Sequence, residues 1–331
     1  MGILTVNTDP YKLWGDDWTP PTPPEPEHDY SQDYLTFEAL EDGTFTFSSL
    51  VQNVTQGNSV YVSYSLDEGN TWVKTYLDDI LDPGLDSDDM VSVTTPTVSA
   101  GDKVMWKGWL DYLNEYDINI SSTCRFNASG NIGSLMRGEE VDYWEDWGQP
   151  TYNIDYLFYD TTTLVSAKNL YLDYSYQSND STFTCDTFKY LFSGCTSLIE
   201  IPTLPTTLKN SCFQGMFSGC TSLTNVPANL LPSTILTSNC YMGMFVRCAA
   251  LTTAPELPAT TLVSGCYKNM FERCSLLNYI KALFTTAPNN TYTQNWVNGV
   301  AATGTFVKNA SATWTTTGVN GIPTGWTVET V

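Results

Sequence analysis

The residues best placed to do chemistry lie at Ser65-Leu66-Asp67-Glu68-Gly69-Asn70-Thr71-Trp72, which fits the Asp-box pattern S-x-D-x-G-x-T-W. In such a box the carboxylate accepts from turn backbone N–H groups, the glycine takes a positive φ, and the tryptophan packs on the hairpin. A second candidate is the aspartate-rich stretch LDDILDPGLDSDD (77–89), whose clustered carboxylates are oxygen donors of the kind Ca²⁺ takes. It lacks the Asx–Gly spacing of an EF-hand, and a solvated charged loop is the simpler reading. The third candidate is the set of nine cysteines, an odd number without a C-x-x-C pair. His28 is the only histidine, which removes most imidazole catalysis and His-rich metal sites.

None of these sets amounts to a catalytic constellation. Two carboxylates roughly 5–9 Å apart would suit a glycosidase, but no acid here sits in an enzyme motif. Sialidases repeat the Asp box on several propeller blades, and their chemistry lies elsewhere, on an arginine cluster, a Tyr–Glu pair and an acid. This chain has one copy of the box and four arginines, Arg125, Arg137, Arg247 and Arg273. The box therefore reads as a structural hairpin, and no catalytic residue, cofactor or metal is expected. EEVDYWEDW (139–147) reads as packing between modules.

The elements that carry these residues come in modules. A length of 331 residues suggests two or three domains. Charged residues make up 15% and aromatics 13%, which argues for packed surfaces rather than disorder. The net charge of −22 disfavours binding to a phosphate backbone, and no apolar run reaches the ~18 residues of a membrane span. Residues 1–165 hold 29 acids and 6 bases, whereas residues 166–331 hold 7 acids and 8 bases. A step of this kind separates modules with different surroundings.

Residues 1–33 read as an anchor peptide followed by a spacer. TPPTPPEPE (19–27) has five prolines in nine positions, a semi-rigid extended segment. Ahead of it lies an apolar and aromatic peptide, in which Trp14 and Trp18 are the candidates for docking on a partner. The opening MGILTVNTDPYKLWGDDW has neither the basic region nor the apolar run of a signal peptide, and Val6 stands where myristoylation needs Ser or Thr.

Residues 34–150 alternate apolar and polar side chains between turn signals, as expected of an antiparallel β-sandwich-like domain or small barrel. YLTFEALEDGTFTF (34–47) reads as strand, turn at Glu41-Asp42-Gly43, strand. VYVSYSLDEGNTWVKTY (60–76) repeats that plan around Asp67–Asn70. TPTVSAGDKVMWKGWL (95–110) adds a pair around Ala100-Gly101-Asp102, and RFNASGNIGSLM (125–136) adds a last pair.

Residues 151–303 repeat. Phe192, Phe217, Phe245 and Phe271 recur at intervals of 25, 28 and 26; Cys195, Cys220, Cys248 and Cys274 each follow by three, and Leu198, Leu223, Leu251 and Leu277 by three more. Cys212, Cys240 and Cys266 precede the next repeat's cysteine by eight, and LFYDTTTLVSAKNL (157–170) is a degenerate first copy without the cysteine. Fixed apolar positions at this period predict a solenoid in which like residues form ladders through the core. M-F-x-x-C predicts a short helical turn, and S-L-x-x-x-P a short strand ended by proline. The cysteines read as reduced ladder residues, cysteine being small and among the most buried types. Residues 304–331 break the template and are expected to cap the stack.

The spacing F-x-x-C-x-S-L-x-x-x-P, with FSGCTSL at both 192–198 and 217–223, resembles the BspA-like leucine-rich repeats of Bacteroidetes surface proteins and their phages. LTFEALEDGTFTF, YSLDEGNTWVK, TPTVSAGDKVMWKG, CRFNASGNIGSLM and IPTGWTV are similar to segments found in this order in proteins of Bacteroides and their phages, crAss-like phages among them. The resemblance implies a mainly β binding scaffold. With no export signal read at the N-terminus, the expectation is a structural virion protein, a head or tail fibre or decoration protein. Residues 1–33 would dock on other virion proteins, and the repeats would face a host-surface glycan or protein. A homo-oligomer, with a trimer favoured, is expected, and neither nucleic acid nor membrane insertion. The alternative is a bacterial cell-surface adhesin of the same family; a glycan-active enzyme ranks third.

Overall fold

The computed structural model describes residues 33–50, 61–77, 90–110, 118–137, 154–172 and 188–331. Over these residues the chain is mainly β, with several sheets, none closed, and almost no helix. Eight strands lie in the first part: β1 (Leu35–Ala39), β2 (Phe45–Leu50), β3 (Tyr61–Ser65), β4 (Val73–Tyr76), β5 (Met90–Thr94), β6 (Lys103–Trp109), β7 (Ile118–Ser122) and β8 (Phe126–Asn131). β5, β2 and β7 form a three-stranded antiparallel sheet. The other five join β9 (Leu164–Tyr171) in the order β4-β3-β6-β1-β8-β9.

Period-two patterning sets the faces of the smaller sheet. In β5, Val91 and Val93 are buried while Met90, Ser92 and Thr94 are exposed. On the outer face hydroxyls pair across strands, Ser48 with Ser92 and Thr46 with Thr94, each at 2.9 Å. The inner face meets the larger sheet through aromatic rings. Phe45 of β2 lies 5.3 Å from Phe37 of β1 and 5.1 Å from Phe126 of β8.

Two expected turns behave differently from one another. The Asp67–Asn70 turn closes a hairpin, with β3 and β4 paired from Tyr61↔Tyr76 to Tyr64↔Val73. At Glu41-Asp42-Gly43, by contrast, the chain crosses from one sheet to the other, since β1 and β2 belong to different sheets. Gly43 sits against Cys124 so tightly that a Cβ there would stand 2.5 Å from that of Cys124. Around Ala100-Gly101-Asp102 the expected pair is absent: residues 95–99 contribute one bridge, Val98 to Gly43, and β6 pairs with β1 and β3 instead. The one helix described is a single turn, α1 (Ser134–Arg137).

From Ile154 onward the chain winds in coils that stack on one another. The M-F-x-x-C segments are not helical turns. Along 211–220 the N–H groups of Cys212, Gln214, Met216, Ser218 and Cys220 donate three residues back, to Lys209, Ser211, Phe213, Gly215 and Phe217 carbonyls. The intervening N–H groups of Ser211, Phe213, Gly215, Phe217 and Gly219 donate to Ser238, Cys240, Met242, Met244 and Val246 carbonyls in the next coil. An α-helix commits every interior N–H internally and keeps φ negative. Here φ is positive at every fourth residue, at Ser211, Gly215 and Gly219, then Asn239, Gly243 and Arg247. The result is a run of overlapping turns with half its donors aimed along the stack. The S-L-x-x-x-P segments give single parallel bridges at Glu200 and Thr253 and a strand only at β10 (Tyr279–Ala282). β11 (Thr305–Lys308) and β12 (Thr327–Thr330) add to β10 in parallel, so residues 304–331 carry the stack onward.

β9 ties the coils to the sandwich. It pairs in parallel with β8, from Phe126↔Leu164 to Asn131↔Tyr171. Meanwhile the Ala167 N–H donates to Glu200 O of the following coil. A single buried apolar cluster accordingly runs from Leu35 to Trp326.

Candidate functional site

The repeat residues named from sequence come together as two parallel files. The rings of Phe158, Phe192, Phe217, Phe245 and Phe271 stack at 5.5, 5.6, 5.7 and 5.8 Å, with planes 4–18° apart. Beside them the Cys195, Cys220, Cys248 and Cys274 thiols donate to the carbonyls of Phe158, Phe192, Phe217 and Phe245 in the preceding coil, at 3.0, 3.2, 3.1 and 2.9 Å. Each of these four Phe carbonyls also accepts the N–H three residues ahead, so both of its lone pairs are used. A second aromatic file, missed in the sequence, runs through Phe188, Phe213, Tyr241 and Tyr267 at 6.0–6.1 Å. Its signal was the recurring Cys-Phe/Tyr dipeptide at 212–213, 240–241 and 266–267.

This ladder needs its thiols protonated, because the S–H is the donor. Burial raises the pKa of each, Cys274 to about 12 and Cys195, Cys220 and Cys248 upward as well, and does the same in the other cysteine series, where Cys240 goes to about 12 and Cys266 to about 11. The eight described cysteines are buried and none forms a disulfide. A thiol held neutral inside a core is neither a nucleophile nor a metal ligand. Among the described residues no group of three or more His, Cys, Asp or Glu side chains could hold a metal ion.

The Asp box has the geometry of a hairpin clasp. Asp67 Oδ1 accepts from the Thr71 N–H and the Ser65 hydroxyl, both at 2.8 Å, and Oδ2 accepts from the Thr71 hydroxyl at 2.7 Å. The Thr71 bonds, with help from Ser65, hold the Asp67 pKa below the ordinary aspartate value. Behind the turn Trp72 covers the buried ammonium of Lys107, 4.2 Å from the ring centroid, and Tyr34 meets Trp72 edge-on at 4.9 Å. With its carboxylate bonded to its own turn, the box is a structural element.

The end of the stack presents a polar recess. Three tryptophans close the apolar core there. Trp296, Trp314 and Trp326 are buried, and their indole N–H groups donate to Gly321, Phe284 and Ala301 carbonyls at 2.9, 3.1 and 2.7 Å. Over them the loop 316–321 is pinned to the coil beneath. The Thr293 hydroxyl donates to Asn320 O at 2.8 Å, the Asn295 N–H to Asn320 Oδ1 at 2.7 Å, and the Val297 N–H to Val319 O at 3.2 Å. Asn320 Nδ2 in turn donates to Asn290 Oδ1 at 2.5 Å. Between Pro288–Thr291 and Thr316–Asn320 lies an open depression of about 670 Å³, lined by asparagine, threonine, proline, glycine and valine.

Trp14 and Trp18, residues 78–89 of the acidic stretch, and EEVDYWEDW (139–147) lie outside the described residues. Among those described, no helix is long and apolar enough to cross a membrane. No family model, curated protein or solved structure matches this chain.

Proposed function

We propose that the chain is a structural virion protein, a head or tail fibre or decoration protein of a Bacteroides phage. Residues 1–33 anchor it, and its coils form a leucine-rich-repeat-type solenoid that displays a host-binding surface. The observation that carries this reading is the continuity of the body: one buried core and one hydrogen-bonded file extend from the sandwich to the closing tryptophans. Such a body can hold a binding surface clear of a particle without flexing at a module joint. The buried thiols, none of them in a disulfide, fit assembly in a reducing cytoplasm. Weak contacts on a symmetric oligomer, a trimer by preference, would multiply through effective concentration.

The test is whether an antibody against residues 190–331 decorates density-purified phage particles from an infected Bacteroides culture. Labelling at discrete points on heads or tails is the expected result. Bare particles with label on cell envelopes would favour a cell-surface adhesin instead. Deletion of residues 1–33 should abolish incorporation and leave the body folded; incorporation that survives the deletion removes the anchor.

A further inference from the structure

We propose that the depression between Pro288–Thr291 and Thr316–Asn320 is a subsite for a neutral saccharide, which deepens the host-attachment reading above and rests on it. The recess is built before any ligand arrives. Four hydrogen bonds from Thr293, Asn295, Trp296 and Val297 fix the backbone and the Asn320 side chain of its outer wall. Gly318 has φ +95°, and a Cβ on Gly321 would stand 2.2 Å from Thr316 O, so the shape of this wall requires glycine at both positions. Preorganisation of this kind lowers the entropy lost on binding.

Its lining specifies the ligand. Asn289 Oδ1 accepts from the Thr291 N–H at 2.7 Å and Asn290 Oδ1 from Asn320 Nδ2, both bonds within the chain at its surface. The Nδ2 groups of Asn289 and Asn290 and the hydroxyls of Thr316 and Thr317 have no partner among the described residues. The four residues are exposed around the recess. Amide and hydroxyl groups set at fixed positions match the paired hydroxyls of a sugar ring. None of the nine lining residues is charged, so the recess offers no cation to pair with an acidic sugar or a phosphate. Val319, 43% exposed, offers an apolar surface for the C–H face of the ring.

The experiment places the full chain on an array of uncharged and acidic oligosaccharides and, in parallel, on intact host cells. Asn290→Ala and the near-isosteric Thr317→Val are compared with Thr206→Ala, an exposed change on an earlier coil. The proposal expects binding to uncharged glycans that falls about tenfold or more in both recess variants, the loss of one or two hydrogen bonds, and is unchanged in Thr206→Ala. Uncharged-glycan binding that survives both recess variants, or binding to acidic glycans alone, overturns the subsite. Cell binding without any glycan binding also overturns the subsite and leaves host attachment standing. Recess-dependent glycan binding without cell binding upholds the subsite and removes the attachment role; the absence of both removes both.

Discussion

Phe158 lies 5.9 Å from Phe37 of the sandwich, with the ring planes 71° apart, and 5.5 Å from Phe192 of the next coil, with the planes 8° apart. One buried ring thus belongs to both packing systems, edge-on to the first and face-on to the second. Phe158→Ala should cost about 3–5 kcal/mol, the range for emptying a buried phenyl site. In urea the parent should unfold in one transition whether followed by a sandwich probe or a coil probe. In the variant the two curves should separate. Coincident curves at an unshifted midpoint would show that this ring does not couple the two parts.

Two glycines in one coil should respond differently to alanine. Both have positive φ, +64° at Gly215 and +78° at Gly219. A Cβ on Gly215 would stand 2.1 Å from the Tyr190 ring, whereas one on Gly219 would meet backbone no nearer than 3.5 Å. Arg247 and Arg273, the equivalents of Gly219 in later coils, keep φ at +60° and +63°. Gly219→Ala should therefore cost only the ~1–2 kcal/mol of a left-handed residue, and Gly215→Ala clearly more. Equal losses of Tm would contradict this assignment.

The thiol file makes the coils sensitive to alkali. An unfolded cysteine ionises near its ordinary value of 9.0, while folded Cys274 holds its proton to about 12. Between these values the native state binds more protons than the unfolded one, so stability falls as pH rises through that window. Thermal melts at rising pH should show a loss of Tm that Cys274→Ala reduces. Alkylation of the parent by iodoacetamide at pH 8 should be negligible until denaturant is added. Rapid labelling of native protein at Cys195, Cys220, Cys248 or Cys274 would contradict the buried ladder.

Asp67 acts in the opposite direction. Its pKa is lowered by Thr71 and Ser65, so the contribution of the clasp is present above the ordinary aspartate value and is lost as pH falls through the depressed one. Amide exchange at Gly69 and Thr71 should accelerate in acid before exchange in β3 and β6 does. Asp67→Asn should remove that acid dependence and leave the two sheets intact. Unchanged acid dependence in the variant would place the titration elsewhere.

Much of this was legible in the linear sequence, because it depends on residue type at a period. The Phe and Cys intervals and the hairpin at Asp67–Asn70 follow from recurrence and side-chain alternation alone. The second aromatic file was recoverable from the Cys-Phe/Tyr dipeptides. What misled was local reading of backbone direction. M-F-x-x-C has a helix-like spacing of apolar residues, yet Gly215 and Asn239 adopt φ values no α-helix allows. Glu41-Asp42-Gly43 has the composition of a hairpin turn, yet Phe37 and Phe45 face each other from opposite sheets.

The sequence by itself determined the period at which the core Phe and Cys return, since a ladder needs the same residue type at the same place in every coil. Tertiary structure decided where each backbone donor goes: along the strand, back three residues, or up to the next coil. That choice depends on carbonyls a whole coil away in sequence, such as Met244 O for the Phe217 N–H or Met216 O for the Phe192 N–H. The recess was settled in the same way. Asn290 and Asn320 are thirty positions apart in sequence and form one wall only because the coils between them close on Trp296 and Trp314.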